Sequence, residues 1–308
     1  MSKPAFIFPG QGSQHIGMGQ DVHTEYPLAR ERFDQASAIL GYDLATLCFN
    51  GPEEQLNTTS YTQPAIYVHS YIMCELLAEK GVQPAMTAGH SLGEITALAA
   101  AGALDFDTGL KIVQQRGTLM QNASDYEPGT MAAIIGLDDA IVESVCKQAA
   151  TAGTVGVANF NSPGQVVISG SIAGVNRAME LAKEQGAKRA IELKVSGAFH
   201  SPLMEPALKD FKALLENTRF NPLKVPVYSN VTGKMISDVS EVVTLLGMQL
   251  SNPVLWVQTI LSMVADGATK FYEVGPGSVL TGLNKRIDRS LDTSAINNLE
   301  SIQTEKDS

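Results

Sequence analysis

The chain has 308 residues, is 44% hydrophobic and carries a formal net charge of −10 at pH 7. This composition allows a large folded core, and the negative charge disfavours nucleic acid and anionic membranes as partners. Cys48, Cys74 and Cys146 fit neither a zinc spacing nor a disulfide framework, so we expect no metal site. No apolar run is long enough for a membrane span and no signal peptide is recognisable, so we expect a cytoplasmic protein.

The N-terminal segment has the pattern of a buried strand that enters a glycine-rich loop. Residues 5–9 are continuously apolar, and residues 10–14 contain two glycines whose neighbouring backbone amides can face a ligand. The loop lacks the third glycine of a dinucleotide-binding fingerprint, which argues against that function. Helical periodicity follows over residues 26–40 and 60–80. Gln63, at the start of the second helix, can point into a cleft or act only as a cap.

A G-x-S-x-G motif at residues 89–93 is the strongest chemical signal in the chain. Its glycines let a strand turn sharply into a helix, with Ser91 exposed at the turn. The flanks fit this geometry, because residues 84–88 are mostly apolar and residues 94–103 are rich in helix-forming alanine and leucine. The helix start would direct backbone N–H groups at negative charge forming beside Ser91. The motif therefore predicts a nucleophilic serine for acyl transfer.

Arg116 lies in the next predicted helix, over residues 107–121. An arginine in a helix is usually solvent-facing or part of a surface ion pair, and the residues alone favour that interpretation.

Residues 126–196 change pattern and predict a separate small subdomain. The elements follow the order β, α, β, β, α, β, which is typical of a ferredoxin-like unit. We expect strands at 131–137, 154–158, 165–169 and 190–195, with helices at 138–150 and 171–185.

His200 is the best candidate for the base that activates Ser91, because a serine hydroxyl is a poor nucleophile until its proton is removed. His200 lies in a Gly, Ser and Pro-rich loop where the chain returns from the small subdomain, and such loops often line clefts. His90 should point away from Ser91 and can line the pocket instead. No acidic residue stands out as a third partner, so a backbone carbonyl could orient the imidazole.

The C-terminal third returns to large-domain material. We expect strands at 225–229 and 269–274, helices at 241–251 and 256–265, and a polar, mobile tail from about residue 300.

Seven motifs together resemble those of the malonyl-CoA:acyl carrier protein transacylases of bacterial fatty-acid synthesis. The likeness runs from residue 5 to about residue 287 and implies an α/β fold, with an α/β-hydrolase-like parallel-sheet core and an inserted ferredoxin-like subdomain. The corresponding ranges are 1–125 with 197–308, and 126–196. The motifs are FPGQGSQ (8–14), TQPA (62–65), GHSLGE (89–94), QQRG (114–117), FNSPGQVVISG (160–170), GAFHSPLM (197–204) and YEVGPG (272–277).

The resemblance also implies a reaction and its residues. Ser91 takes malonyl from coenzyme A and passes it to the phosphopantetheine thiol of acyl carrier protein, with His200 as general base and acid. Backbone amides of Gln11 and Leu92 form the oxyanion hole, and the main-chain carbonyl near Gln249 holds the histidine. Gln63 and His90 line the pocket, and Arg116 binds the malonyl carboxylate. The coenzyme A thioester is a substrate, and we expect no cofactor.

Specificity and partners follow from the same resemblance. Phe199 partly matches the malonyl-selecting loop of polyketide acyltransferases, so we expect a preference over methylmalonyl without an absolute barrier. Carrier proteins in this family are acidic, which predicts docking on a local basic cluster, either Lys188, Arg189 and Lys194 or Lys285, Arg286 and Arg289. We expect a monomer.

Three other functions remain open from the sequence. A free-standing acyltransferase that serves a polyketide synthase would share all the motifs. A thioesterase or esterase would use the same nucleophile but admit water, and Arg116 argues against it. A non-catalytic carrier-binding module is disfavoured by the intact serine and histidine.

Overall fold

A computed structural model describes residues 3–195 and 197–305 of the chain. In this described part the strands form two sheets. Ser196, the last residue of the predicted small subdomain, lies outside the described residues. The strands are β1 (Pro4–Phe8), β2 (Met86–Gly89), β3 (Gly129–Ile135), β4 (Val155–Ser162), β5 (Gln165–Ser171), β6 (Arg189–Glu192), β7 (Val227–Tyr228), β8 (Lys270–Val274) and β9 (Thr293–Ile296).

Helices cover both sheets. They are α1 (Gln20–Glu25), α2 (Pro27–Leu40), α3 (Leu44–Asn50), α4 (Glu53–Leu56), α5 (Thr59–Glu79), α6 (Gly93–Ala100), α7 (Phe106–Tyr126), α8 (Asp139–Ala149), α9 (Ile172–Glu184), α10 (Glu205–Glu216), α11 (Val242–Gln249), α12 (Trp256–Ala265), α13 (Val279–Ile287) and α14 (Leu299–Thr304).

The larger sheet is parallel and has the order β7-β2-β1-β8-β9. Its central strand β1 is fully buried from Ala5 to Phe8, as its continuous apolar sequence predicts. Because β1 and β2 are parallel neighbours, the loop after β1 and the turn after β2 emerge at the same edge of the sheet. Ligands of such sheets bind at this carboxyl edge.

The smaller sheet is antiparallel, with the order β4-β5-β3-β6. It has its own apolar core, in which α8 and α9 pack against the strands through residues such as Val142, Val175 and Ile168. The elements occur in the predicted order β, α, β, β, α, β, and the α/β fold class with a parallel core and a small antiparallel sheet is confirmed. All four strands lie within residues 126–196, although that range remains a prediction as a domain boundary.

Two glycines bring helices α5 and α7 into close contact. A Cβ on Gly109 would lie 2.1 Å from Tyr67 Oη, and one on Gly117 would lie 3.0 Å from the Thr59 carbonyl oxygen and 3.1 Å from Ser60 Cα. Larger residues at these positions would therefore move the helices apart. Gly117 directly follows Arg116, so this contact fixes how far the arginine stands from α5.

The prediction of a mobile tail from residue 300 is wrong within the described residues. Residues 299–304 form α14, whose Ile302 is fully buried, and the Leu299 N–H donates to Asp21. An Asn298 capping box starts the helix. Of the helices in residues 3–195 and 197–305, none is long and apolar enough to cross a membrane.

Candidate active site

Ser91 lies at a tight turn between β2 and α6, at the carboxyl edge of the parallel sheet. Its backbone has a φ of 54°, a conformation that residues other than glycine rarely adopt. The flanking glycines allow the turn, because a Cβ on Gly89 would lie 1.9 Å from the Gly93 carbonyl group, and one on Gly93 would lie 2.1 Å from the Phe8 carbonyl oxygen. The G-x-S-x-G spacing is therefore required here by steric exclusion.

His200 stands beside Ser91, with its Nε2 2.8 Å from Ser91 Oγ. Its Nδ1 lies 2.8 Å from the main-chain carbonyl oxygen of Gln249. A carbonyl can only accept, so Nδ1 carries the proton and Nε2 is left to accept from the serine hydroxyl. Gln249 is the last residue of α11, where helix carbonyls have no partner within the helix. The helix end thus takes the place that an acidic residue holds in many serine enzymes.

His200 is neutral in this environment. The pKa of its imidazole is lowered to about 3, chiefly by burial and also by the nearby Arg116 guanidinium, while the bond to the Gln249 carbonyl opposes both effects. The ring is therefore unprotonated at neutral pH and available as a base.

Arg116 is buried, with 1% of its surface exposed. The interpretation that it faces solvent, which is usual for an arginine in a helix, is therefore wrong. Its Nη1 donates to Gln63 Oε1 at 2.9 Å, and its Nη2 donates to Gln249 Oε1 at 2.9 Å and to Ser91 Oγ at 3.1 Å. Burial lowers the pKa of the guanidinium to about 10, and Glu94 partly opposes this shift. Arg116 is therefore a cation at neutral pH, within hydrogen-bond distance of Ser91.

A cavity of about 190 Å³ opens at this site between the two sheets. Every predicted site residue except Gln249 lines it, namely Gln11, Gln63, His90, Ser91, Leu92, Arg116 and His200, and Phe199 forms part of its wall. Leu92 is the N-cap residue of α6. Gln11 follows β1, the strand next to β2. The backbone amides of Gln11 and Leu92 thus belong to two neighbouring loops at one end of the cavity.

His90 points to the other side of the elbow from the Ser91–His200 pair. Its Nε2 donates to Asn161 Oδ1 at 2.8 Å, and its ring centroid lies 5.4 Å from that of Trp256. Burial lowers the pKa of His90, so its imidazole is also neutral. Asn161 lies near the end of β4, so the small sheet contributes a side chain to the cavity.

Two buried residues near Ser91 are missing from the sequence-based site. Asn230 accepts the Ser91 N–H through Oδ1 and donates from Nδ2 to the Gly89 carbonyl oxygen, both at 2.7 Å. Glu94 is fully buried and accepts from the Gln249 side chain. Glu94 is the last residue of the GHSLGE motif. An acidic residue in a first helical turn is typically exposed, so the motif alone did not indicate that Glu94 is buried. Asn230 lies in a short loop after β7 that carries no distinctive motif.

Within residues 3–195 and 197–305, no three His, Cys, Asp or Glu side chains are grouped so that they could hold a metal ion.

Comparison with known proteins gives a consistent result. The model of the acyl transferase domain family matches residues 5–305. The chain is 47% identical to the malonyl CoA-acyl carrier protein transacylase of Haemophilus influenzae over 304 residues, which are 98% of this chain and 97% of the relative. It is also 47% identical to the protein of that name from Escherichia coli K12 over 298 residues, or 96% of each chain.

Solved structures agree with these relatives. A malonyl-transacylase in complex with its holo type II PKS acyl carrier protein has a TM-score of 0.96 at 43% identity, covering 98% of both chains. An acyl carrier protein S-malonyltransferase from Vibrio cholerae has a TM-score of 0.93 at 44% identity, covering 98% of this chain and 99% of the other.

Proposed function

Because the chain belongs to the acyl transferase domain family, we propose that it transfers malonyl from malonyl-CoA to acyl carrier protein in fatty acid synthesis. The observation that carries this proposal is a buried guanidinium 3.1 Å from the hydroxyl of a serine that is itself paired with a neutral histidine. Such a site joins a nucleophile for an acyl thioester to a cation for a second, free carboxylate. Malonyl-CoA has both groups.

In the first half-reaction, Ser91 Oγ attacks the thioester carbonyl carbon as His200 Nε2 takes the hydroxyl proton. The negative charge on the carbonyl oxygen is met by the backbone N–H groups of Gln11 and Leu92. Collapse of the tetrahedral intermediate breaks the C–S bond, and His200 returns the proton to the leaving coenzyme A sulfur. A malonyl-serine ester remains, and free coenzyme A departs.

Arg116 determines which acyl groups can react at Ser91. In the free site its guanidinium donates to Gln63, Gln249 and Ser91, and a malonyl carboxylate can replace some of these acceptors with stronger, charge-assisted bonds. An acetyl group brings no carboxylate into the cavity, so it forms no ion pair with the buried cation and binds less favourably. Phe199 narrows the same cavity and favours malonyl over its α-methyl derivative.

In the second half-reaction, the phosphopantetheine thiol of the carrier gives its proton to His200 Nε2 and attacks the ester. The same amides hold the oxyanion, and His200 returns the proton to Ser91 Oγ as the ester bond breaks. The products are malonyl-carrier and free enzyme. The steps need no metal, redox group or other cofactor.

The carrier docks on a basic groove beside the cavity. The groove is lined by three exposed basic residues, Lys188, Arg189 and Arg286. Lys188 and Arg189 belong to one of the predicted basic clusters, and Arg286 belongs to the other. The groove adjoins the cavity along two elements. At the end of β4, Asn161 lines the cavity and Ser162 the groove, while on α13 Leu283 lines the cavity and Arg286 the groove. An acidic carrier seated there would bring its thiol arm to the cavity mouth.

A polyketide carrier is the second candidate acceptor, because the solved complex with a TM-score of 0.96 contains a type II PKS carrier protein. The site chemistry is the same for both carriers. A cytoplasmic location, a monomeric state and the absence of nucleic acid partners stay predictions from the sequence.

The test is intact-protein mass after brief mixing with malonyl-CoA, followed by addition of holo acyl carrier protein. We expect a malonyl adduct that is absent in Ser91→Ala, forms slowly in Arg116→Ala and moves to the carrier. An adduct that hydrolyses without moving would indicate a hydrolase and contradict the proposal. A folded wild-type protein that forms no adduct would exclude malonyl-CoA as donor. Comparing fatty-acid and polyketide carriers then identifies the preferred acceptor.

A further inference from the structure

Glu94 is a fully buried acidic residue that the reaction above does not use. It lies in the first turn of α6, three residues after Ser91. Its Oε2 accepts from Gln249 Nε2 at 2.5 Å and from the Asn230 backbone N–H at 3.2 Å. Both partners hold the reacting residues directly, because Asn230 binds the Ser91 N–H and Gln249 binds His200 and Arg116.

The side-chain amide of Gln249 has a defined orientation at this place. Its Nε2 donates to Glu94 and to the Ser91 carbonyl oxygen, and its Oε1 accepts from Arg116 Nη2 at 2.9 Å. A flipped amide would direct its NH₂ group at the guanidinium, which has only donors, and its oxygen at the carboxylate, which when ionised has only acceptors. The carboxylate and the guanidinium therefore select one of the two amide orientations.

Charge adds to this selection. Arg116 and Glu94 are both buried. Burial raises the pKa of Glu94 to about 7, while the hydrogen bonds from Gln249 and Asn230 and the Arg116 cation oppose this shift, so the cation and the ionised carboxylate stabilise each other. When Glu94 is ionised, the amide between them has a negative group on its NH₂ side and a positive group on its oxygen side, which strengthens both hydrogen bonds.

We infer that Glu94 is a positioning residue for malonyl recognition: through the Gln249 amide it holds the Arg116 guanidinium in the orientation that receives the malonyl carboxylate. This inference rests on the proposed function. Glu94 does not contact the cavity itself, so its effect reaches the substrate only through Gln249 and Arg116. Its removal should damage the selection of malonyl more than the Ser91–His200 chemistry.

The experiment measures the rate of Ser91 acylation by malonyl-CoA and by acetyl-CoA in Glu94→Met and Glu94→Gln. We expect Glu94→Met to lower kcat/KM for malonyl-CoA about 10- to 100-fold, the range for losing a hydrogen bond to a charged group, with a clearly smaller loss for acetyl-CoA. Glu94→Gln offers an acceptor and a donor, so it permits both orientations of Gln249. We expect an intermediate loss of malonyl selectivity of about three- to tenfold.

A double-mutant cycle tests the route through Gln249. In a Gln249→Met background, Glu94→Met should change the malonyl selectivity less than about twofold, because the amide that it orients is gone. Glu273→Gln is the matched control. Glu273 is also fully buried and accepts the backbone N–H groups of Leu280 and Thr281 at the start of α13, so this variant neutralises a buried acid elsewhere. It should leave malonyl selectivity unchanged.

Equal losses for malonyl-CoA and acetyl-CoA would overturn the inference, since they would indicate a general structural role. Independent, multiplicative effects of Glu94→Met and Gln249→Met would also overturn it. If Glu94→Met does not fold, Glu94→Gln decides the question, and unchanged selectivity in that variant refutes the inference. A wild-type enzyme that forms no malonyl adduct refutes the proposed function instead, so the two failures are distinct.

Discussion

The Nη2 group of Arg116 lies 3.1 Å from Ser91 Oγ, so the buried cation and the serine hydroxyl are in direct contact. Under the proposed function, a carboxylate that pairs with this guanidinium has to lie close to the acyl carbon that Ser91 attacks. Malonyl has one methylene between the two groups, and a longer diacid would have to bend or move the arginine. We therefore expect the contact to select the length of the acyl group as well as its charge.

The first prediction concerns Arg116. Arg116→Ala should lower kcat/KM for malonyl-CoA by about 100-fold or more, because an ion pair in a buried site is worth several kcal/mol, whereas the rate with acetyl-CoA should stay equal or rise. Arg116→Lys keeps the charge without the two-pronged geometry and should fall between. Acylation followed by intact mass measures both substrates. Equal loss for both acyl donors would argue against carboxylate recognition by this residue.

The second prediction concerns the contact between α5 and α7. Gly117→Ala places a methyl group 3.0 Å from the Thr59 carbonyl oxygen, which should push α7 away and move Arg116 relative to Gln63. We expect lower malonyl selectivity and destabilisation of about 1–3 kcal/mol, the usual result of overpacking. Gly247→Ala in α11 is the control, since a methyl group there meets no atom within 4 Å. Its unfolding free energy should rise by up to about 1 kcal/mol. Unchanged selectivity in Gly117→Ala would contradict this account.

The third prediction concerns His69, a fully buried side chain in α5 whose pKa is lowered to about 4, chiefly by burial. Between the ordinary pKa of 6.5 and this value, the unfolded chain binds a proton that the folded chain does not. Stability should therefore fall as the pH drops from 6.5 to 4, by about 3 kcal/mol in total from this residue. His69→Leu should remove that part of the pH dependence. Urea unfolding at pH 7.5 and pH 4.5 measures it, and an unchanged difference in His69→Leu would disprove the assignment.

The fourth prediction concerns the basic groove. Reversing the charges of Lys188, Arg189 and Arg286 should raise KM for the carrier about tenfold or more and reduce its dependence on salt, because the attraction is electrostatic. Acylation by malonyl-CoA should stay unchanged. Reversal of Lys209 and Lys212 on α10, which packs against α7 and α11, should have little effect. A loss confined to acylation by malonyl-CoA would mean that the groove binds coenzyme A phosphates.

The turn at Ser91 and its pairing with His200 could be predicted from the sequence, whereas the surroundings of Arg116 could not. The elbow at Ser91 depends on glycines two residues away, so the motif itself encodes the turn. The burial of Arg116 depends on Gln63 and Gln249, which are distant in sequence, and the usual solvent-facing position of a helix arginine favoured the surface. Only the resemblance to the family indicated that Arg116 lies in the cavity.

The fold shows the same division. The order of elements in the small sheet follows from local patterns and was predicted, as was α12 with its bounds at residues 256–265. Helices α10 and α13 and strand β9 were not predicted, and α14 was taken for a tail. The apolar content of α14 is small, and its burial depends on Asp21 and on residues of other elements. A segment of this kind is recognised as ordered only when its partners are known.

Ser91 and His200 have φ values of 54° and 57°, so the two residues proposed to react are also the non-glycine residues with positive φ among those described. Each such conformation costs roughly 1–3 kcal/mol, a cost that glycine does not incur. The backbone by itself would thus favour glycine at both positions. A search for stabilising substitutions should select against both of these side chains, so under the proposed function a more stable protein would arise from this chain by the loss of its chemistry.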